Sequence, residues 1–380
     1  MNNPLGTYRP VCSAAVTALI ALLTACGGYG SHGMNPPTNV TISGAILPTL
    51  KTMSTIGSTL DPTEHGGNPY GLTVATATSG LITMGDLIIC NFNDGATNTQ
   101  GMGTTVVGLH PTAGAMPYRI AQSAQLLGCS SLTSLADGSI IAADSQANTV
   151  DLIAPNGTPS APFSADAFAE PWSVIAATHA SNDFLYVSDA NTGAIDRIAL
   201  TNDAQTSFTE IAAGFSTNHG VPGSISAPAG LTYDATSDTL YVVDTNANRV
   251  VALANVSAIG TDGVIVSGTN FSGASAASAK VIATGAPLNG PISGALLVNG
   301  DLVVGNTLDP NGTNLLIEIS PTAGVVASAN VDTGAGGAIF GISTVPTTIT
   351  TMGSYGSTNT LTDVIYFNDD NDNTVKLLAQ

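Results

Sequence analysis

The stretch Pro228-Ala229-Gly230-Leu231, followed by Leu240-Tyr241-Val242-Val243-Asp244 and then Arg249-Val250, is the clearest copy of a phrase that occurs six times along the chain. Each copy has a small residue leading into an apolar strand, a second strand that ends on Asp or Asn, a polar turn and a third strand. The copies follow one another at a spacing of roughly 45 to 65 residues, which indicates an array of similar supersecondary units. The phrase therefore predicts an architecture and leaves the biochemical role open.

Two positions of the phrase can be aligned through all six copies. The second strand ends, in order, at Asn91, Asp144, Asp189, Asp244, Asn306 and Asp369. The small-residue slot is occupied, in the same order, by Gly71, Cys129, Ser173, Gly230, Ser293 and Gly341. Small residues are expected where six inner strands converge on a narrow axis, because larger side chains would collide there.

Further strands can be placed around this frame from their β-branched and aliphatic content and from the Gly, Asn and Pro residues that bound them. The predicted third strands are 105–109, 149–154, 194–199, 249–253, 315–320 and 374–378. Outer, fourth strands are predicted at 208–213, 279–284 and 325–330. The sixth copy has no room for a fourth strand before Gln380, but residues 50–57 look much like the fourth strand at 279–285. We expect this N-terminal strand to complete the last unit and close a ring.

The phrase resembles the repeat of the NHL-type β-propeller, which runs Pro-x-Gly-Leu, a strand ending Leu-Tyr-Val-x-Asp, a four-residue turn and Arg-Val or Arg-Ile. The copy at 228–250 matches throughout, and the copy at 171–195 has Ser173 for Gly and Ala194 for Arg. The resemblance covers residues 48–380. It implies an all-β, six-bladed β-propeller closed by the N-terminal strand.

The charge balance excludes one class of partner. Seven Lys and Arg residues stand against 26 Asp and Glu residues, so the formal net charge is -19. Such a field repels the phosphate backbone of nucleic acids and anionic lipid headgroups. With 43% hydrophobic residues and 42 glycines, the composition is that of a folded protein with many turns.

The N-terminus has the pattern of an export signal. Arg9 is followed by an apolar stretch at 11–23, which is too short to span a bilayer. The sequence Leu23-Thr24-Ala25-Cys26 resembles the lipobox of bacterial lipoproteins, and the resemblance implies cleavage before Cys26 and its acylation. We therefore expect a signal peptide at 1–25, a Gly-, Ser- and Pro-rich tether at 26–37 and a propeller at 38–380. Gly27 after the cysteine favours an outer-membrane destination, with the lipid as the only membrane contact.

Two cysteines remain in the predicted propeller, Cys90 and Cys129. An oxidising compartment permits a disulfide bond. The two residues lie in different copies of the phrase and at non-equivalent positions, so we expect buried free thiols.

One face of the ring is the candidate binding surface, because loops between second and third strands share it with loops that lead from each outer strand to the next inner strand. This face would gather charged residues and, just before three of the slots, aromatic residues. They are Glu64, His65, Asp144, Asp166, Glu170, Asp189, His219, Asp244 and Asp369, with Tyr70, Trp172 and Phe340. An acidic, partly aromatic funnel over a central channel is a candidate pocket.

The four aspartates of the aligned position have two interpretations. We favour a structural one, in which their oxygens accept backbone N–H groups at hairpin turns. Calcium is the alternative, because alternating oxygen side chains can converge on a hard cation. The ligands would be Asp369, Asn371 and Asn373, in a run that lacks the Gly and Glu positions of an EF-hand loop.

The histidines are treated in the same way. His65 and His219 occupy comparable loops, and with Glu64 or Glu170 they could bind a transition metal or act as an acid and a base. We expect two solvent-exposed loop histidines instead.

Two functions follow from these observations. The first is a non-catalytic, lipid-anchored envelope propeller that presents its loop-lined face to a protein, peptide or glycan, because the recurring phrase is architectural while the loops differ freely. The second is a hydrolase or lyase with a metal at the channel mouth, since propeller lactonases and lyases are similar in outline. Against the second, the chain has four Glu, and a metal-ligand set cannot be assigned residue by residue.

Overall fold

The six copies of the phrase form six separate β-sheets, arranged as the blades of a propeller. This is seen in a computed structural model that describes residues 40–42, 44–160, 162–164, 166–219, 227–307, 314–353 and 356–380. The predicted signal peptide, the tether and Cys26 lie outside the described residues.

The strands are numbered in chain order, and each blade takes consecutive strands from the axis outward. Two N-terminal strands come first, β1 (Val40–Ile42) and β2 (Thr52–Ser58). Blade 1 consists of β3 (Gly67–Val74), β4 (Leu87–Asn93), β5 (Thr105–Leu109) and β6 (Tyr118–Gln122), and blade 2 of β7 (Cys129–Ser134), β8 (Ile140–Asp144) and β9 (Thr149–Ile153). Blade 3 consists of β10 (Pro171–His179), β11 (Asn182–Asp189), β12 (Ala194–Thr201) and β13 (Ala204–Ala213).

The second half of the ring follows the same order. Blade 4 consists of β14 (Pro228–Asp234), β15 (Thr239–Asp244), β16 (Arg249–Ala254) and, after an insertion, β19 (Ala279–Thr284). The insertion contains β17 (Val264–Ser267) and β18 (Asn270–Ser272), which extend the sheet of blade 3. Blade 5 consists of β20 (Pro291–Leu296), β21 (Leu302–Asn306), β22 (Asn314–Ser320) and β23 (Gly324–Asp332), and blade 6 of β24 (Ile339–Gly353), β25 (Gly356–Asp369), β26 (Thr374–Ala379) and β2.

The helices of the described residues are four short 3-10 turns, and none is long and apolar enough to cross a bilayer. They are Leu47–Thr49, Ala124–Leu126, Val256–Ala258 and Ala276–Ser278.

The strand predictions are confirmed with small shifts of their bounds. Each third strand begins within one residue of its predicted start, and the fourth strands at 279–284 and 325–330 are present. Blade 2 differs, because its described residues form three strands. In place of a fourth strand, Pro159 and Phe163 make single bridges to β9.

The predicted ring closure is also present. Strand β2 pairs antiparallel with β26, from Thr52 opposite Ala379 to Ser58 opposite Thr374. The segment before β2 is held by Glu318 of blade 5, a buried carboxylate that accepts the N–H groups of Ile46 and Leu47 at 2.8 Å each. A carboxylate that accepts two backbone N–H groups forms strong, charge-assisted hydrogen bonds. The N-terminal segment is thus fixed to two blades.

The ring is narrow at the slots. A Cβ atom added to Gly230 would lie 2.6 Å from the Cα of Ser293, and one added to Gly341 would lie 2.6 Å from the Cβ of Leu72. One predicted slot is wrong: the strand register aligns Cys129 with the residue two positions before each slot, so Ser131 is the slot residue of blade 2. The inner strands have a register irregularity at this point, which the spacing of small residues does not reveal.

Beside the slots, each blade is linked to the next by one side chain. The links are the Cys90–Cys129 disulfide between blades 1 and 2, Ser130 Oγ to the Trp172 carbonyl at 2.7 Å, Ser188 Oγ to the Ala229 carbonyl at 2.7 Å, Thr245 Oγ1 to the Pro291 carbonyl at 2.6 Å, Ser293 Oγ to the Phe340 carbonyl, and Asn368 Nδ2 to the Gly71 carbonyl at 3.0 Å. The expectation of free thiols is therefore wrong. Because Cys129 precedes the slot, it faces Cys90 of the neighbouring blade, with a Cα–Cα distance of 5.7 Å.

The slots provide a first prediction. Gly230→Ala should lower the free energy of unfolding by about 1–3 kcal/mol, because the added methyl group overpacks the contact with Ser293. Gly260→Ala is the matched control, since no atom lies within 4 Å of its added Cβ. Denaturant unfolding of both variants measures the difference, and equal stabilities would show that the slots are not tight.

Closure provides a second prediction. Deletion of residues 48–58 removes β2 and leaves the outer edge of β26 unpaired. An exposed edge strand pairs with other chains, so we expect aggregation or a loss of cooperative unfolding. Size-exclusion chromatography and thermal unfolding test this, and a monomeric deletion variant with an unchanged melting curve would contradict it.

Candidate functional site

A central cavity of about 390 Å³ lies between the six inner strands. Each blade contributes the slot residue and the two or three residues after it. The cavity is therefore built from the part of the chain that the recurring phrase places at the axis.

Four aromatic rings close the cavity at the end where the inner strands begin. Tyr70 is stacked between Phe92 and Phe340, with ring centroids 4.2 and 3.9 Å away and interplanar angles of 9°. Trp172 lies tilted against Tyr70 and Phe92, at 5.8 and 6.1 Å. No ring in this cluster is more than 7% exposed. We call these four residues the aromatic floor.

At its other end the cavity opens to solvent. Tyr70, Trp172 and Phe340 at the floor are buried, whereas Val74, Thr133 and Thr344 further along the inner strands are partly exposed. The opening therefore lies on the face that carries the loops between first and second strands. This is the face opposite to the one that we expected to form the pocket, because the predicted mouth is filled by the aromatic floor.

The wall of the cavity is polar and uncharged. No residue that lines it, in the described part of the chain, is Asp, Glu, Lys, Arg or His. Hydroxyl groups alternate with aliphatic side chains, and several come from the slot or from two residues after it: Thr73, Ser131, Thr133, Ser173, Thr232, Ser293 and Ser343. The sequence signal for these residues was present, because residues two apart on a strand point to the same side.

The four aspartates of the aligned position lie apart, in separate blades, and each is at most 2% exposed. Asp189 accepts four backbone N–H groups, from Ala169, Glu170, Asn191 and Thr192, at 2.7 to 3.2 Å. Asp244 is paired with Arg249 and Asp369 with Lys376. Both oxygens of Asp144 are without a hydrogen-bond partner. These side chains cap turns or sit in ion pairs inside the blades.

The oxygens of the calcium candidate are directed to different places. Asn373 Oδ1 accepts the N–H of Asn68 at 2.7 Å, and Asn371 Nδ2 donates to the Ala335 carbonyl at 2.7 Å. Asp369 contacts Lys376. Across the described residues, no three His, Cys, Asp or Glu side chains are grouped as metal ligands.

The remaining candidates lie on the expected face but mostly at its surface. His65, Asp166 and His219 are exposed, and Glu64 lies 3.7 Å from Arg119. The hydrogen bonds of the described residues do not join the two histidines; His219 Nδ1 lies 3.2 Å from Thr217 Oγ1.

Glu170 is the exception among them. It is 3% exposed, and its Oε1 atom has no hydrogen-bond partner. Burial raises the pKa of Glu170 to about 7, and the nearby charge of Asp189 raises it further, against a hydrogen bond from Asn218.

A charged pair on the open face was missed. Asp86 is buried and contacts His110 Nδ1 and the Tyr118 hydroxyl, each at 2.6 Å. The hairpins after the first and third strands of blade 1 bring these residues together, so their spacing in the chain carries no signal of the contact.

Comparison with known proteins shows the fold. No protein-family model and no curated protein matches the chain. A gluconolactonase from Xanthomonas campestris is 11% identical, with a TM-score of 0.55 over 91% of this chain and 95% of its own. A virginiamycin B lyase from Staphylococcus aureus is 14% identical, with a TM-score of 0.49 over 87% of this chain and 99% of its own. At these identities the likeness concerns the β-propeller alone.

Buried carboxyl groups lead to a third prediction, on pH. Burial is the main cause that raises the pKa of Asp363 to about 6, of Glu170 and Asp370 to about 7, and of Asp196 to about 8. A raised carboxyl pKa means that the folded state binds protons more tightly than the unfolded state. Its stabilising contribution is complete below the unfolded pKa of about 4 and is lost as pH rises through the folded pKa. We therefore expect Tm to fall between pH 5 and pH 8.

Asp196→Asn should flatten this dependence most strongly between pH 7 and pH 8, whereas Asp203→Asn, at an exposed turn, should leave it unchanged. Thermal unfolding by circular dichroism measures both. A Tm that rises from pH 5 to pH 8 would contradict the burial of these groups.

Proposed function

We propose that this protein is an exported, lipid-anchored β-propeller that binds an uncharged, hydroxyl-rich ligand of the glycan type in its central cavity. The observation that carries the proposal is the chemistry of that cavity, which has hydroxyl walls, an aromatic floor and one open end. Pockets of about 300–1,000 Å³ with a few convergent polar groups are typical of small-ligand sites.

The charge distribution supports a neutral ligand. The net charge of -19 disfavours anions at any approach to the surface. A cation would be drawn to the surface but would find no carboxylate among the residues that line the cavity. A neutral ligand exchanges its hydrogen bonds with water for hydrogen bonds with Ser and Thr hydroxyl groups.

The cellular setting of the proposal rests on the sequence. The lipobox-like Leu23-Thr24-Ala25-Cys26 supports acylation at Cys26 and attachment to the envelope, in the outer membrane by the Gly27 rule. The NHL-like phrase supports a display scaffold, because its recurring part builds blades while the loops vary.

A fourth prediction tests the cavity. Trp172 is the single tryptophan of the chain and belongs to the aromatic floor, so its fluorescence reports occupancy. Titration with neutral disaccharides such as maltose, cellobiose and chitobiose should change its emission in a saturable way. Thr133→Phe, which fills the cavity near the opening, should abolish the change, and Ser207→Phe, on an exposed outer strand, should not.

Three results have defined meanings. Saturable binding that survives Thr133→Phe would place the site elsewhere and contradict the proposal. Binding of an acetylated, amidated Ser/Ala peptide without any sugar response would replace the glycan by a peptide. Turnover of a lactone or glycoside that a chelator abolishes and Glu170→Gln lowers would favour the second candidate, a metal-dependent hydrolase or lyase at the opposite face. Glu170 is the observation that favours this candidate, since it is a buried carboxyl group with one free oxygen.

A further inference from the structure

The aligned aspartate has a regular neighbour in the third strand of its blade. This neighbour stands two residues beyond the residue that pairs with the aspartate, and both side chains are on one face of the sheet. In blade 6 the neighbour is Lys376, with Nζ 3.5 Å from Asp369 Oδ2. In blade 4 the position holds Val251, and the cation comes from Arg249, 2.7 Å from Asp244. Each of these two aspartates is balanced by a positive charge.

The other blades need no cation, with one exception. Blades 1 and 5 carry the neutral residues Asn91 and Asn306 in place of the aspartate. In blade 3 the four N–H groups that Asp189 accepts compensate its charge. Blade 2 has neither device.

In blade 2 two carboxyl groups face each other inside the sheet. Asp144 is 0% exposed, and neither of its oxygens has a hydrogen-bond donor. Its regular neighbour is Asp151, also 0% exposed, within hydrogen-bonding distance. An isolated buried carboxylate costs several kcal/mol, so a pair without a counter-charge is incomplete.

The groups around the pair are oxygen donors. Thr149 Oγ1 donates to Asp151 Oδ2 at 2.6 Å, and the Gln125 amide lies against Asp151 Oδ1 at 2.6 Å and the Ser160 carbonyl at 2.5 Å. A half-turn of that amide would present Gln125 Oε1 to the pair. Gln125 is partly exposed, so it also lies on a path from solvent.

We propose that Asp144 and Asp151 form a binding site for a hard divalent cation, with calcium as the best fit. Two carboxylates neutralise a divalent ion, and carboxylate, hydroxyl, amide and carbonyl oxygens are the ligands that calcium takes. The ion occupies the place of the positive charge that Lys376 supplies in blade 6. The site stabilises blade 2 and is separate from the central cavity.

The fifth prediction tests this site in the whole protein. After treatment with a chelator at pH 7.5, addition of calcium should raise Tm, and isothermal titration calorimetry should show one ion per chain. Asp144→Asn should abolish both effects. Asp151→Lys, which copies the pair of blade 6, should raise the Tm of the chelated protein and also abolish the response to calcium. Asp244→Asn, at the equivalent position of blade 4, is the control and should keep the response.

Other results would overturn the proposal. If calcium and magnesium leave Tm unchanged and no ion is bound, the pair shares a proton instead. In that case the infrared band of a protonated carboxyl group should be present in the chelated protein and absent from Asp144→Asn. A response to sodium alone, or a calcium response that persists in both Asp144→Asn and Asp151→Lys, would likewise contradict a divalent site in blade 2.

Discussion

The close approach of six inner strands at the axis is the constraint on which the structure depends. At the slots there is no space for a side chain larger than that of serine, and at Gly230 and Gly341 there is no space for a methyl group. The approach is fixed by one link at every joint, five hydrogen bonds and one disulfide. The slots and the links alternate around the same circle, so a change at one slot displaces the neighbouring link as well. The aromatic floor and the cavity rest on this circle.

Much of the fold could be predicted from the sequence, because strands and turns depend on local composition. The third strands and the N-terminal closure are examples. The slot of blade 2 could not, since Cys129 and Ser131 are both small and only the strand register tells them apart. The disulfide was missed for the same reason, because the wrong slot placed Cys129 away from Cys90.

The candidate site was predictable in composition and not in geometry. Tyr70, Trp172 and Phe340 precede their slots, which brings them to one end of the axis as expected. Whether such rings line an opening or fill it depends on contacts across blades, such as the stacking of Tyr70 between Phe92 and Phe340. The direction of the cavity follows from that packing. Likewise, the burial of the aspartates depends on how deeply the turns sit between blades, which the pattern of Asp and Asn does not show.

The incomplete sheet of blade 2 has a consequence for the motions of the protein. Its outer edge is held by single bridges from Pro159 and Phe163, while its inner edge is covalently joined to blade 1. Local opening has the lowest free energy where backbone hydrogen bonds are few and solvent is near. The periphery of this blade is therefore where amide hydrogens exchange first and where a protease gains entry. The covalent joint keeps such excursions at the rim, so the hub of the wheel stays intact while one spoke frays.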